Sequence, residues 1–145
     1  MVDKVLFKSG GSNDWGTPQW LYDMLDSEFH FTLDPCANDD NAMCDAYFTE
    51  AEDGLVQPWG GCSEVVFVNP PYSPWQTAYA WVHKCYDEAW AGARVVALLP
   101  VRTSNKWFHD FVMYAEEIRF INGRLEFVGS KYFAPFPSMI VIFRP

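Results

Sequence analysis

The chain has 145 residues, 50% of them apolar and 20% charged, which is enough for one compact domain and too apolar for a disordered chain. Residues 1–10 carry charges and lack an apolar run, and no stretch approaches a membrane span, so a soluble cytoplasmic protein with no membrane partner is expected. The net charge of −9 argues against a polyanionic partner until its distribution is read.

In chain order, residues 1–13 are polar and glycine-containing and read as a mobile arm. Thr17-Pro18 reads as a helix start, with Thr at the N-cap and Pro at the first helical position. Trp20, Leu21, Met24, Leu25 and Phe29 recur at helical spacing, so an amphipathic helix is predicted over 19–29. Residues 31–33 are short, apolar and β-prone, and Asp34-Pro35 stops them. Residues 36–63 are polar and acidic with weak periodicity, which predicts a long loop with one short helix or strand. A loop of that length is more often functional than idle. Residues 64–68 are apolar after Glu64, as in a buried parallel strand, and lead into Asn69-Pro70-Pro71-Tyr72. A helix over 75–90, a buried strand over 94–99 ending at Pro100, and a helix over 105–115 capped by Ser104 follow. A strand over 118–121, a tight turn at Asn122-Gly123, a strand over 125–128 and a last strand over 139–143 complete the chain. Alternating strands and helices predict an α/β fold: a mostly parallel sheet, helices on both faces and an antiparallel C-terminal strand. No internal repeat or second domain is visible, so residues 1–145 read as a single domain.

Cys36, Cys44, Cys62 and Cys85 form no CxxC pair, and His30, His83 and His109 are scattered. Reduced thiols and no bound metal are expected. Charge is split along the chain. Residues 1–75 hold two basic and thirteen acidic side chains, and residues 76–145 hold eight basic and six acidic ones. The second half can therefore offer a basic face while the first half points elsewhere.

The informative string is Val65-Val66-Phe67-Val68-Asn69-Pro70-Pro71-Tyr72-Ser73, an apolar strand with Asn-Pro-Pro-Tyr at its carboxyl end. In open α/β sheets, ligands bind at the carboxyl ends of strands. An exocyclic amine on a base is a weak nucleophile because its lone pair is shared with the ring. Acceptors aimed at its N–H groups stabilise the charge that builds on nitrogen as a methyl group arrives. The Asn69 side-chain oxygen can accept one hydrogen and the Pro70 carbonyl the other. Two consecutive prolines stiffen the loop, because each fixes φ and lacks an N–H. Tyr72 offers a flat face to a base that has left its helix.

This string is similar to the (D/N/S)-P-P-(Y/F/W) motif of amino-group methyltransferases. The chain resembles the small phage-type DNA N6-adenine methyltransferases over most of its length. The resemblance runs through Asp14-Trp15-Gly16-Thr17-Pro18, Leu33-Asp34-Pro35-Cys36-Ala37, Asn69-Pro70-Pro71-Tyr72, Leu98-Leu99-Pro100 and Gly123-Arg124-Leu125-Glu126-Phe127. It implies a Rossmann-like methyltransferase fold, S-adenosylmethionine as methyl donor, and direct in-line transfer to a flipped adenine with no covalent enzyme intermediate. Asn69, Pro70, Pro71 and Tyr72 are then catalytic. Trp15, Thr17 and Pro18 fall where the family contacts the methionine part of the donor, although a helix start explains Thr17-Pro18 equally. Asp34, Pro35 and Cys36 fall at the donor-binding strand end, where a carboxylate suits a cationic donor. Here Asn38-Asp39-Asp40-Asn41 replaces the glycine-rich loop usual at that point. Asp53 is the candidate partner of the donor's adenine amine, or else a solvated turn acid.

The implied partner is DNA. Ser73, Arg102, Lys106, Arg124 and Lys131 form the best DNA-facing set, and Trp75 and Tyr132 are candidates for stacking bases or for ordinary packing. A separate target-recognition domain does not fit. Recognition is expected from loops 36–63 and 129–138 or from a second subunit in a homodimer, with weak or short sequence preference. Two alternatives stay open: an N-methyltransferase acting on RNA or on a protein glutamine, and a catalytically silent acidic protein that mimics DNA or docks to a basic partner. On this reading Tyr72→Phe is tolerated, because stacking needs only the ring.

Overall fold

A computed structural model of the protein describes residues 15–145; the arm and Asp14 lie outside the described residues. The elements are α1 (Gln19–Phe29), β1 (Val65–Val68), α2 (Trp75–Trp90), β2 (Arg94–Pro100), α3 (Lys106–Asp110), β3 (Glu117–Phe120) and β4 (Ser138–Phe143). Single 3-10 turns lie at Gly61–Ser63 and Val112–Tyr114.

The sheet has the order β1-β2-β4-β3. β1 and β2 pair in parallel, from Val65 opposite Arg94 to Val68 opposite Ala97. β4 is antiparallel to β2, with Pro100 opposite Ser138, and to β3, with Phe120 opposite Met139. β1, β2 and β3 thus share a direction and β4 runs against them. The sheet is mixed, with one parallel ladder and two antiparallel ones, where mostly parallel pairings were expected. The reason lies in the connection: a parallel return needs a crossover to the far end of the sheet. The segment 121–137 instead turns back at the end where β3 finishes, and β4 slots between β2 and β3.

The central strands read as unbroken apolar runs because both of their faces are covered; every residue of β4, and all of β2 after Arg94, is buried. α2 lays Ala78, Trp81, Val82, Cys85 and Ala89 into this core and packs on β2 and β4. α1 buries Leu21, Tyr22, Leu25 and Phe29, and its Tyr22 ring meets Phe67 edge-on at 5.3 Å. It stops at His30, which turns left-handed (φ 58°) and returns its N–H to the Asp26 carbonyl.

Several predicted elements differ. The residue flanking α1 is Pro18, not Thr17, and no side chain caps the helix. The helix predicted over 105–115 is broken into α3 and a 3-10 turn, and Asn105 rather than Ser104 precedes it without a side-chain cap. Phe111 leaves the helical path to pack between Tyr79, His83 and Tyr86 of α2. Residues 125–128 do show the alternation of a strand, with Leu125 and Phe127 buried. They find only one ladder partner, Gly16 opposite Val128, and so form a bridge and no strand. Residues 31–33 likewise give a single bridge, Leu33 opposite Val66, in parallel with β1. Loop 36–63 is pinned by Trp59, which is 1% exposed, donates its indole N–H to the Gly54 carbonyl and stacks on Trp81.

Candidate active site

Three segments run side by side and end together. Leu33 lies opposite Val66 and Val68 opposite Ala97, so Asp34-Pro35-Cys36, Asn69-Pro70-Pro71-Tyr72 and Val101-Arg102 all emerge at the same sheet end. The antiparallel β4 starts there, and β3 finishes there with the Ile121 N–H donating to the Ser138 carbonyl. Loop 121–137 therefore borders the same place. The sequence pattern singled out each string; the register brings them to one rim.

The half-buried Asn69 amide is fixed on both sides. Its Nδ2 donates to the Trp15 carbonyl at 2.6 Å and to Thr17 Oγ1 at 3.0 Å, and its Oδ1 accepts from the Tyr72 hydroxyl at 2.7 Å. The Trp15 carbonyl can only accept, so it sets which end of the amide is nitrogen. Oδ1 keeps a second lone pair for another donor. Thr17 thus holds the Asn69 amide and caps nothing. Segment 15–17 is itself held from behind, where the Val128 N–H donates to the Gly16 carbonyl at 2.8 Å. A Cβ on Gly16 would stand 3.0 Å from that of Val128, so this approach has little room for a side chain.

Tyr72 is 2% exposed, and the flat face expected to meet a base is covered. Its hydroxyl reaches both Asn69 Oδ1 and the Leu98 carbonyl (3.0 Å), which draws the ring into the core. Phe127 and Phe136 stand edge-on to it at 6.4 and 5.6 Å, and Trp15 meets both of them at 5.4 Å. Pro70 and Pro71 are buried below, and the bond from Ser73 to Pro74 is cis. The Arg102 guanidinium donates to the Tyr72 carbonyl at 3.4 Å and lies over the Phe136 ring.

Asp34 is buried and its carboxylate faces its own loop, accepting from the Met43 N–H at 3.1 Å and the Cys36 N–H at 3.3 Å. Pro35 is buried and Cys36 half-buried beside it. The neighbouring turn presses close: a Cβ on Gly54 would lie 2.0 Å from the Pro35 carbonyl oxygen, so only glycine fits there. Asp53 precedes that glycine in a left-handed conformation (φ 58°) and accepts from the Leu55 N–H at 3.1 Å. That bond is local to the turn.

Burial pushes the Asp34 carboxyl up to about 7, against the pull of the two N–H groups. In the unfolded chain a carboxyl titrates near ~3.9. Between those values the folded state binds the extra proton, so stability from this group grows as pH falls and is lost as pH rises through about 7. From pH 8 to pH 5.5 the gain is about 2 kcal/mol, at roughly 1.4 kcal/mol per unit below 7. Thermal unfolding at both values checks this: the wild type should gain more on acidification than Asp34→Asn, which lacks the proton. Equal gains would remove Asp34 as the cause.

The cations sort by partner. Lys84 pairs with Glu88, Lys106 with Asp110, Arg119 with Glu28 and Glu117, and Arg144 with Glu116. Lys106 also lies over the Tyr79 ring, which places it on the α2–α3 surface with its charge already engaged. Among the described residues, Arg94, Arg102, Arg124 and Lys131 have no carboxylate partner. Arg94 opens β2 at the opposite end of the sheet, whereas Arg102, Arg124 and Lys131 lie on the segments that border the rim, and Arg124 and Lys131 are exposed. No group of three metal-ligating side chains occurs among the described residues, and no helix there is long and apolar enough to cross a membrane.

The family model described as DNA N-6-adenine-methyltransferase (Dam) matches residues 7–145. The chain belongs to the Dam family of DNA N-6-adenine-methyltransferases. It is 30% identical over 154 aligned residues to the DNA N-6-adenine-methyltransferase of Haemophilus phage HP1 (strain HP1c1), covering 100% of this chain and 86% of the relative. It is 27% identical over 121 residues to the DNA N-6-adenine-methyltransferase of Escherichia phage T1, covering 81% of this chain and 49% of that protein. In this Dam-family chain the matched region contains every string described above. Sequence reasoning missed the groups that hold the motif in place: the Trp15 and Leu98 carbonyls and the rings of Phe127 and Phe136. Backbone carbonyls carry no residue-type signal, and nothing in the local pattern around Phe127 or Phe136 points to Tyr72.

Proposed function

We propose that this chain transfers a methyl group from S-adenosylmethionine to the N6 amine of an adenine flipped out of DNA, on a Rossmann-like methyltransferase fold. The observation that carries the reading is the Asn69 amide, locked at the carboxyl end of β1 with one lone pair of Oδ1 still available. The donor supplies a methyl group activated by a sulfonium charge. The strip beside the rim suits that cation: residues 34–53 hold Asp34, Asp39, Asp40, Asp45, Glu50, Glu52 and Asp53 and no Lys or Arg. Asp34 shapes the loop and the exposed acids supply the field.

Asn69 Oδ1 and the Pro70 carbonyl take the two hydrogens of the amine, which directs its lone pair toward the donor. Tyr72 holds Oδ1 through its hydroxyl, and a base stacks on its ring only once Phe136 gives way. Arg102 steadies the backbone of the same loop. The protein incubated with labelled donor and unmethylated DNA should yield N6-methyladenine on nucleoside mass spectrometry. DNA left unmodified while the donor binds would redirect the search to RNA and protein amines. No donor binding would favour the silent acidic protein.

A further inference from the structure

Loop 129–137 carries two adjacent aromatic side chains in solvent, Tyr132 at 77% exposure and Phe133 at 65%. The loop is tied at both ends. Ser130 N–H donates to the Phe127 carbonyl, Ala134 N–H to the Leu125 carbonyl, and Val101 N–H to the Pro137 carbonyl. The Ser130 hydroxyl donates to the Tyr132 carbonyl at 2.8 Å, which closes the tip. Phe136, three residues beyond Phe133, packs 5.6 Å from Tyr72. Three residues of chain span at most about 11 Å, so Phe133 is tethered by that length of chain to a ring that packs on Tyr72. Its surroundings suit a polyanion: Lys131, Arg124 and Arg102 have no carboxylate partner among the described residues, and no Asp or Glu follows Glu126.

Exposed rings on a loop with cations that lack carboxylate partners match a ligand with flat faces and a phosphate backbone. Extruding a base from a duplex leaves a gap in the stack and an orphaned partner base, at a cost of a few kcal/mol. We propose that Tyr132 and Phe133 form a wedge that enters the DNA duplex and fills the gap left by the flipped adenine. The proposal rests on the adenine-flipping reading above for the origin of the gap, and it adds the residues that hold the gap open.

The test uses the full chain and the double substitution Tyr132→Ala, Phe133→Ala. Both side chains are exposed, so the unfolding midpoint should not move. N6-methyladenine formation is measured on native and on heat-denatured unmethylated genomic DNA, because a single strand has no stack to repair. A fall of about tenfold on native DNA, with denatured DNA little affected, is expected. Tyr132→Phe keeps the ring and should behave as wild type. An equal fall on both substrates, or none on either, overturns the wedge. A second measurement needs no methyl transfer: the wild type should bind a duplex carrying one abasic site more tightly than the intact duplex, and the double variant should lose that preference. A wild type that methylates native DNA but shows no such preference overturns the wedge and leaves the methyl-transfer reading standing. One that prefers the abasic duplex yet methylates neither DNA overturns methyl transfer and leaves the wedge.

Discussion

Asn69→Ala is expected to lower methyl transfer to DNA by about 10³-fold, the scale for removing one preorganised partner of a developing charge. The amide is the side chain at the rim with three fixed contacts and a free lone pair, and no neighbour can replace its oxygen. The donor should still bind, though more weakly, because Asp34 and its loop do not contact this side chain while segment 15–17 loses its tie to the amide. Single-turnover transfer alongside donor titration checks both halves. Full activity in this variant would end the proposed mechanism. Asn69→Asp sharpens the point. It keeps an acceptor toward the base but sets a carboxylate oxygen against the Trp15 carbonyl, now 2.6 Å from Nδ2. Leaving that part-buried contact without a donor costs about 1–3 kcal/mol, so the variant should fold, lose order in segment 15–17 and transfer more slowly than wild type.

Tyr72→Ala should destabilise the fold by about 3–5 kcal/mol, the range for removing a buried aromatic ring. Tyr72 sits among Phe127, Phe136 and the Leu98 carbonyl, so its loss opens a cavity under the catalytic loop. Urea unfolding measures it. Tyr72→Phe separates ring from hydroxyl. The motif alone predicts tolerance, whereas the observed hydroxyl bond to Asn69 Oδ1 predicts a modest loss. A hydrogen bond of this kind contributes about 0.5–1.5 kcal/mol, which corresponds to a rate roughly two- to thirteenfold lower with the fold intact. Wild-type kcat in Tyr72→Phe would show that the hydroxyl does not position the amide.

The Asn-Pro-Pro-Tyr string stood out before any coordinates because the chemistry proposed for it is written in residue types. An apolar strand followed by Asn-Pro-Pro-Tyr specifies an amide acceptor, a stiff backbone and a ring, and these functions depend little on the remainder of the chain. The helices over 19–29 and 75–90 were legible for a similar reason: apolar residues at helical spacing on a long segment have one good solution. Where the sequence reading failed, long-range partners decided. Thr17-Pro18 has all the local marks of a capped helix start, yet the threonine oxygen goes to Asn69, fifty-two positions away. Residues 125–128 alternate like a strand, but β4 lies between β2 and β3 and leaves them only Gly16 to pair with.

The sequence by itself determined the α/β class, the long acidic loop, the reactive motif and the skew of positive charge toward the second half, since each is a property of local pattern or composition. Tertiary structure alone decided the mixed sheet, the burial of Tyr72 and the choice of which cations stay unpaired. It also decided that Trp15 and Thr17 hold the Asn69 amide. The physical reason is that hydrogen bonds and ion pairs between distant segments depend on which strand ends meet, and strand order follows from how the whole chain buries its apolar faces.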